Sequence, residues 1–282
     1  MCKNRKKRRE WAKKGKIVIP LPLEIIKNKD SQFFHMRYFI TFSYDGTRFH
    51  GWQIQPNGIS VQEVLEESLT KILRAGPITV VGAGRTDAGV HAREMEAHFD
   101  WPDEAGVLDG PQLVYRLNRL LPRDVSVSRV EQVSPDLHAR FSATRRTYHY
   151  YIHTAKDPFL RHYSLELHYA LDFELMNQAA ALLFDYEDFG SFCKSHSDAK
   201  TTLCKIYAAR WHQLSPTSWY FEIAANRFLR NMVRAVVGTL IEVGRHRMTL
   251  SQFREVIERG SRTAAGESMP GHALFLERVE YS

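Results

Sequence analysis

The sequence is poor in cysteine and has no long apolar run. Only three cysteines, Cys2, Cys193 and Cys204, occur among its 282 residues, which are too few and too scattered for a disulfide framework. No apolar segment approaches the length that a membrane-spanning helix needs. The charged N-terminus also lacks the apolar core of a secretory signal. These absences predict a protein of the reducing cytoplasm with no membrane association.

The chain has no net positive charge outside the N-terminal segment. The net charge is +7, but residues 1–35 carry eleven Lys or Arg against three acids, whereas residues 36–282 carry 28 basic and 29 acidic residues. Nucleic-acid binding by the body of the chain therefore requires positive charge that is gathered locally. The segment 1–35 is predicted to be a disordered tail, either simply solvated or making loose phosphate contacts. Met36, at the start of the first strand pattern, is a candidate translation start.

Alternating and helical patterns follow one another without strict β–α alternation, which predicts an α+β fold with a mainly antiparallel sheet. Two halves of similar content predict an N-terminal lobe over 36–137 and a C-terminal lobe over 138–282. No Pro/Gly/Ser linker separates the halves, so one sheet can continue across both. Strands are predicted at 38–44, 78–81, 94–99, 124–133, 148–153, 204–211, 219–225 and 272–281, and helices at 60–75, 112–121, 172–184, 228–244 and 250–259.

The stretch "GAGRTDAGVHA" (Gly82–Ala92) is a glycine-rich loop with a carboxylate at its centre. It fails the dinucleotide fingerprint, because Asp87 stands where the third glycine is needed. It also fails the P-loop pattern, because Gly84 and Gly89 have the spacing but no Lys follows them. A carboxylate would moreover repel a bound phosphate. The loop is therefore interpreted as built around Asp87.

Two interpretations of Asp87 are open from the residues alone. The side chain could cap a turn through its own backbone. Alternatively, Arg85, two residues earlier, points to the same side if the segment is extended, and its guanidinium favours the ionised acid. An ionised carboxylate can act as a nucleophile or a base.

The loop resembles, without a gap, the active-site loop of the TruA family of tRNA pseudouridine synthases. The similarity extends over about residues 36–282 and leaves out the tail, to which nothing functional is carried over. The other matching blocks are "YDGTRFHGWQIQ" (44–55), "LNRLLPRDVSV" (117–127), "HARFSATRRTYHYYI" (138–152), "FLRNMVRAVVGTLIEVG" (228–244) and "LFLERVEY" (274–281).

The resemblance implies an isomerase that converts uridine to pseudouridine in the anticodon stem-loop of tRNA, at tRNA positions 38–40. No cofactor is implied, because every atom of the nucleotide is retained. The resemblance also implies the pseudouridine synthase fold with an active-site cleft between two lobes, and a homodimer with tRNA spanning both subunits.

Four side chains match the family's active-site positions. Asp87 matches the essential carboxylate, and Arg234 matches the arginine that pairs with it. Tyr148 matches a tyrosine whose ring stacks on the extruded base and whose hydroxyl can transfer a proton. Tyr150 lies on the same face of the predicted strand, so core packing is open for either ring. Leu274 matches a residue that closes over the base, although an inward Leu on a strand is also typical of core.

Arginines are expected to offset the negative charge of Asp87, which would otherwise repel RNA from the site. Arg85 is placed with the catalytic residues. Arg227, Arg230 and Arg234 fall at helical spacings of three and four, so they are expected to share one face of the helix predicted there; ordinary surface charge is the alternative for Arg234. Further candidate phosphate contacts, each of which could equally be solvated surface, are Arg93, Arg140, Arg145 and Arg146.

Two other classes of function are possible from the residues. Cys193, His196, Cys204 and His212 do not have the spacing of a zinc site, so no metal is predicted. The main alternative is a tRNA-binding or tRNA-folding protein without catalysis, which would keep the arginines but would not need Asp87.

Overall fold

The structure is a computed structural model that describes residues 35–74, 76–194 and 200–282. Apart from His35, the predicted tail lies outside the described residues. From His35 onward, the described residues belong to one compact unit.

One mixed sheet runs through both halves of the sequence. Its strands are β1 (His35–Tyr44), β2 (Val81–Gly82), β3 (His91–Pro102), β4 (Val125–Val133), β5 (Ala143–His153), β6 (Leu165–Glu166), β7 (Ile206–Ser215), β8 (Ser218–Ala225) and β9 (Leu274–Tyr281). The order is β4-β1-β3-β9-β5-β8-β7, with β2 paired to β3 and β6 to β5. Only the β3–β9 and β5–β6 pairs are parallel, so the predicted α+β class with a mainly antiparallel sheet is confirmed.

The helices begin where the sequence supplies a capping side chain, with one exception. They are α1 (Val61–Leu73), α2 (Gly110–Leu120), α3 (Phe173–Ala181), α4 (Met232–Gly244) and α5 (Leu250–Glu258). The predicted capping box of Ser60 and Glu63 is present at the start of α1. None of the helices in the described ranges is both long and apolar enough to cross a bilayer.

Strand alternation sends one set of side chains of β1 into the core. Tyr38, Ile40 and Phe42 are buried in the same cluster as Leu65 of α1 and Leu117 of α2. This packing fixes the register of β1 against its neighbours, because a one-residue slip would turn the three apolar side chains to the other face.

Two predicted elements differ markedly from the structure. The strand predicted at 78–81 is reduced to β2, because the amides of Ile78 and Val80 bond to side chains of α1 instead of a neighbouring strand. The helix predicted from residue 228 begins at Met232. Asn231 has a φ of 68°, a left-handed conformation that a right-handed helix cannot include.

Candidate active site

Asp87 lies in the loop between β2 and β3, and its side chain is 25% exposed. The carboxylate Oδ2 accepts a hydrogen bond from Arg234 Nη1 at 3.0 Å, so the expected ion pair is present. Among the described residues, no backbone amide of the loop donates to this side chain. The turn-capping interpretation is therefore wrong, and the carboxylate is held by charge from another part of the chain.

A second guanidinium approaches the same carboxylate. Arg230 Nε lies 4.0 Å from Asp87 Oδ1, and its side chain is 60% exposed. The expectation that Arg227, Arg230 and Arg234 share a helix face was wrong, because only Arg234 belongs to α4. The left-handed residue before α4 ends the connecting segment, and Arg230 reaches Asp87 from that segment. Two cations around one anion give the local site a net positive charge.

Arg85 does not take part in this cluster. The alternation of the loop is as expected, since Arg85 is exposed, Thr86 is buried and Asp87 is partly exposed. Within the described chain, however, Arg85 forms no ion pair with Asp87. The buried Thr86 hydroxyl is within hydrogen-bond distance, 2.8 Å, of the Tyr44 hydroxyl, and this contact turns Asp87 outward.

The Tyr148 side chain, on β5, is close enough to Asp87 for the charges of the two groups to interact. It is buried, and it packs edge-on against Phe228 with ring centroids 5.2 Å apart. Burial raises the pKa of the Tyr148 hydroxyl to about 12; the charge of Arg146 opposes this shift, and the charge of Asp87 adds to it. The hydroxyl is thus protonated at neutral pH and is a hydrogen-bond donor in the site, available as a proton source but not as a base.

Tyr150 and Leu274 belong to the core next to this site. Tyr150 is fully buried and donates its hydroxyl hydrogen to the Pro270 carbonyl at 3.0 Å. Leu274 is buried, and it is the cross-strand partner of Tyr150 where β9 pairs with β5. Of the two tyrosines on this face, Tyr148 is the one whose hydroxyl is not bonded to another described residue.

Two clamping segments, one containing Gly51 and the other Gly271, pack closely against the loop on either side of Asp87. The sequence patterns did not identify these segments as important. Gly51 has a φ of 93°, and a Cβ there would lie 2.5 Å from the Thr86 carbonyl oxygen. Trp52 N donates to the same oxygen at 3.2 Å. A Cβ on Gly271 would lie 2.5 Å from the Ala88 carbonyl oxygen. Backbone thus packs on backbone either side of Asp87, and only glycine permits so close an approach. In the sequence, the only sign of this packing is that Gly51 lies inside the matching block 44–55 and that Gly271 lies just before the matching block 274–281.

His91, at the end of the loop, is a structural link. Its Nδ1 accepts from the Gly46 amide at 3.0 Å, and its Nε2 lies 2.9 Å from the His272 carbonyl oxygen. A neutral ring with its proton on Nε2 satisfies these two contacts, while Asp45 Oδ1 lies 3.1 Å from the same Nδ1 and its charge opposes the effect of burial on the His91 pKa. Burial lowers the pKa of His91, which favours this neutral form. The ring therefore ties the loop to both clamping segments.

Arg93 lies on the other face of the sheet. Its Nε contacts Glu277 Oε1 at 3.1 Å, and its guanidinium lies over the Phe275 ring. Tyr151 donates to the same Glu277 oxygen. Since successive residues of a strand face opposite ways, Tyr151 and its partner Arg93 are on the face opposite Tyr148. The structure does not bring Arg93 to Asp87.

The remaining candidate phosphate contacts are arginines near the start of β5, and they differ in how far they are exposed to solvent. Arg140 is exposed and lies over the Phe141 ring. Arg145 lies over the Tyr207 ring and 4.0 Å from Glu280. Arg146 is buried and donates to backbone carbonyls, so its assignment as a candidate phosphate contact was wrong.

The residues considered for zinc do not assemble within the described ranges. His196 lies outside those ranges. His212 Nε2 lies 3.0 Å from Glu222 Oε2, and Cys204 is buried. In the described residues, no group of three or more His, Cys, Asp or Glu is placed to hold a metal ion.

Comparison with known proteins finds close relatives of this chain. A family model described as tRNA pseudouridine synthase matches residues 179–282. The tRNA pseudouridine synthase A of Bacteroides fragilis is 57% identical over 245 residues, which cover 87% of this chain and 96% of that protein. The protein of the same name from Bacteroides thetaiotaomicron is 58% identical over 247 residues, covering 87% and 90%. Among solved structures, the CRISPR endoribonuclease Cse3 bound to RNA covers 74% of this chain and 97% of its own at a TM-score of 0.19 and 10% identity, which is too remote to bear on the fold.

Such identity along nearly the whole length of the relatives indicates common descent. The chain belongs to the TruA family of tRNA pseudouridine synthases. The motifs on which the resemblance rests lie in the described part of the chain, from residue 36 onward.

Proposed function

We propose that this chain converts uridine to pseudouridine in tRNA. In this isomerisation the glycosidic bond from N1 breaks, the uracil turns, and C5 bonds to the ribose. Asp87 is the essential carboxylate. Attack on the sugar carbon, addition to the base and removal of a sugar proton all require Asp87 to be ionised beside a flipped nucleotide.

The observation that carries this proposal is the ion pair between the partly exposed Asp87 and Arg234, with Tyr148 alongside. The ion pair holds a carboxylate where a substrate can reach it. The ring of Tyr148 supplies a surface for an unstacked base, a contact that contributes roughly 1–3 kcal/mol per base in other proteins. Its protonated hydroxyl can donate a hydrogen bond or a proton to the rearranging base.

Local positive charge supports RNA as the substrate. The body of the chain from residue 36 carries no net basic excess, yet Arg230 and Arg234 both face the single carboxylate of the site. Arg85 and Arg140 are exposed, and Arg227 is half-buried. None of these three forms an ion pair with an acid among the described residues. They are proposed to contact tRNA phosphates.

The finer features of the proposal rest on the resemblance. The uridines are those of the anticodon stem-loop, the enzyme is a cytoplasmic homodimer, and Leu274 forms part of the wall around the base. The halves 36–137 and 138–282 form two lobes with the cleft between them. What supports the last point is that Asp87 belongs to the first half and Arg234 to the second.

The test is pseudouridine formation by wild type and Asp87→Asn, measured as tritium release from uracil C5 of labelled tRNA. We expect turnover by wild type and none above background by the variant, with tRNA binding retained. Asp185→Asn is the matched control, because Asp185 forms an ion pair with Arg254 at 3.2 Å that is separate from the site. Mapping of pseudouridine along the product tRNA identifies the modified uridines.

A tRNA-binding or tRNA-folding protein without catalysis is the alternative. It predicts that wild type binds tRNA but releases no tritium, and that Asp87→Asn behaves like wild type. No tritium release by wild type would remove the enzymatic role, and equal release by wild type and Asp87→Asn would remove the role of Asp87.

A further inference from the structure

Arg146 is a buried guanidinium on β5, two residues before Tyr148, and only 9% of it is exposed. It donates hydrogen bonds to four backbone carbonyls. Nη1 bonds to Ala143 O at 3.0 Å and to Asn226 O at 2.5 Å. Nη2 bonds to Ala83 O at 3.0 Å and to Arg140 O at 2.6 Å.

No carboxylate pairs with Arg146 in the described part of the chain. Burial lowers the pKa of Arg146, and the nearby charges of Arg140 and Arg227 act in the same direction. A cation without a counter-ion is costly to bury unless its hydrogen bonds are satisfied. The four carbonyls supply those bonds. The buried cation lies on the same strand as Tyr148, two residues before it.

The four carbonyls belong to the segments that carry the site. Ala83 opens the loop and stands four residues before Asp87. Asn226 directly follows β8 and opens the segment that brings Arg230 to the same carboxylate. The other two carbonyls belong to the turn before β5 and to the start of that strand. One guanidinium therefore links the two segments that approach Asp87 to the strand that carries Tyr148.

The charge of Arg146 also acts on the site directly. It opposes the effect of burial and of Asp87 on the Tyr148 hydroxyl. The hydroxyl is thus subject to two opposing charges, that of Asp87 and that of Arg146, and backbone carbonyls hold the guanidinium of Arg146 in place.

We propose that Arg146 is a positioning residue that holds the Asp87 loop and the Arg230 segment in register with Tyr148. This inference rests on the proposed function. Arg146 does not contact the RNA itself, because four of its five N–H donors are already bonded to the protein. Its loss affects the chemical step, since misplacing a catalytic group by about 1 Å can cost roughly 100-fold in rate.

The first test is Arg146→Lys, which keeps the charge but has at most three donors and no planar fork. We expect the single-turnover rate at saturating tRNA to fall by about 100-fold, while the Kd for tRNA changes by less than about threefold. Arg37→Lys is the matched control, because Arg37 also donates to a backbone carbonyl, at Leu137, and pairs with Asp100 near the end of β3 that is remote from the loop. It should leave both constants unchanged.

The second test does not use activity. Hydrogen exchange of Arg146→Lys, or of Arg146→Gln if the lysine variant does not fold, should be faster than in wild type in segments 82–92 and 226–231. These segments are distant in sequence, so a coupled change identifies the shared guanidinium. Arg37→Lys should leave both segments unchanged.

Three results would overturn the inference. The rate of Arg146→Lys could equal that of wild type. The whole loss could appear as weaker tRNA binding with a smaller salt dependence, which indicates a phosphate contact. The two segments could also keep their exchange rates. If wild type itself forms no pseudouridine, the proposed function fails, and the exchange experiment still decides whether Arg146 holds the two segments.

Discussion

Arg234 and Asp87 are 147 residues apart in the chain, yet Nη1 of the first lies 3.0 Å from Oδ2 of the second. The same guanidinium donates through Nε to the Met269 carbonyl, and the Met269 amide donates to the Arg234 carbonyl at 3.1 Å. Arg234 is therefore fixed by backbone on one side while it holds the carboxylate on the other. Backbone contacts of this kind preorganise a charged group, so that it needs little reorganisation during the reaction.

Arg234→Lys should impair the chemical step despite keeping the charge. A single ammonium cannot bond to Asp87 and to the Met269 carbonyl in the geometry that the planar guanidinium provides. We expect kcat/KM to fall by roughly 100-fold, the size of effect found when one preorganised electrostatic contact is removed. Arg254→Lys, at the ion pair with Asp185, is the control. Wild-type kinetics in Arg234→Lys would show that charge alone is sufficient.

Tyr148→Phe should bind tRNA like wild type but turn over more slowly. The ring remains for stacking, while the hydroxyl donor is lost. Because burial raises the pKa of Tyr148 to about 12, the hydroxyl is protonated throughout pH 6–9, and the ratio of wild-type to variant rate should be constant over that range. Single-turnover rates across this range measure the ratio. A ratio that changes with pH, or equal rates, would contradict a donor role.

The matched control is Tyr150→Phe, on the same face of β5. It removes the hydrogen bond to the Pro270 carbonyl and should cost about 1 kcal/mol of unfolding free energy, with no change in the chemical step.

Gly51→Ala should damage both stability and activity. The residue has a φ of 93°, and an added Cβ would lie 2.5 Å from the Thr86 carbonyl oxygen. The loop must move to relieve this contact, which displaces Asp87. We expect a loss of about 1–3 kcal/mol in unfolding free energy and a large fall in single-turnover rate.

Gly76→Ala is the control that introduces backbone strain without a close contact, so comparison with Gly51→Ala distinguishes the two effects. Gly76 has a similar φ of 91°, but nothing lies within 4 Å of an added Cβ. It should lose stability through strain alone and keep its activity. If both variants lose activity equally, the close approach at Gly51 is not what positions the loop.

Glu96 should make the stability of the fold depend on pH. Its side chain, on β3, is buried; it accepts from the Thr41 hydroxyl of β1 at 2.9 Å and lies 3.6 Å from Arg129 of β4. Burial raises the pKa of Glu96 to about 7 from a usual value of 4.5. The folded state thus binds this proton more tightly than the unfolded chain. Its stabilising contribution is complete below about pH 4.5 and is lost as pH rises through 7.

Glu96→Gln should remove this pH dependence. At pH 8 the variant is expected to be more stable than wild type by up to about 3 kcal/mol, because an ionised carboxylate is no longer buried. Urea unfolding at pH 5 and pH 8 measures the difference. Glu131→Gln, on the exposed side of the same arginine, is the control. An unchanged difference between the two pH values in Glu96→Gln would refute the prediction.

Local patterns predicted the secondary structure well where the decisive contacts are close in sequence. The capping box of Ser60 and Glu63 and the alternation of β1 depend on residues within a few positions of one another. The helix start expected at residue 228 failed, because the apolar pattern continues upstream of Asn231 and does not report its left-handed backbone.

The sequence by itself determined the α+β class, the family and the motif that presents Asp87. The tertiary structure decided which cations pair with that carboxylate. It also gave different surroundings to residues of the same type that are neighbours in the sequence. Arg145 and Arg146 are adjacent, but only the second is buried among carbonyls. Arg85 is close in sequence to Asp87, yet Arg230 and Arg234 hold it. The physical reason is that pairing depends on distances between segments far apart in the chain, which are set by the packing of the whole sheet and its helices.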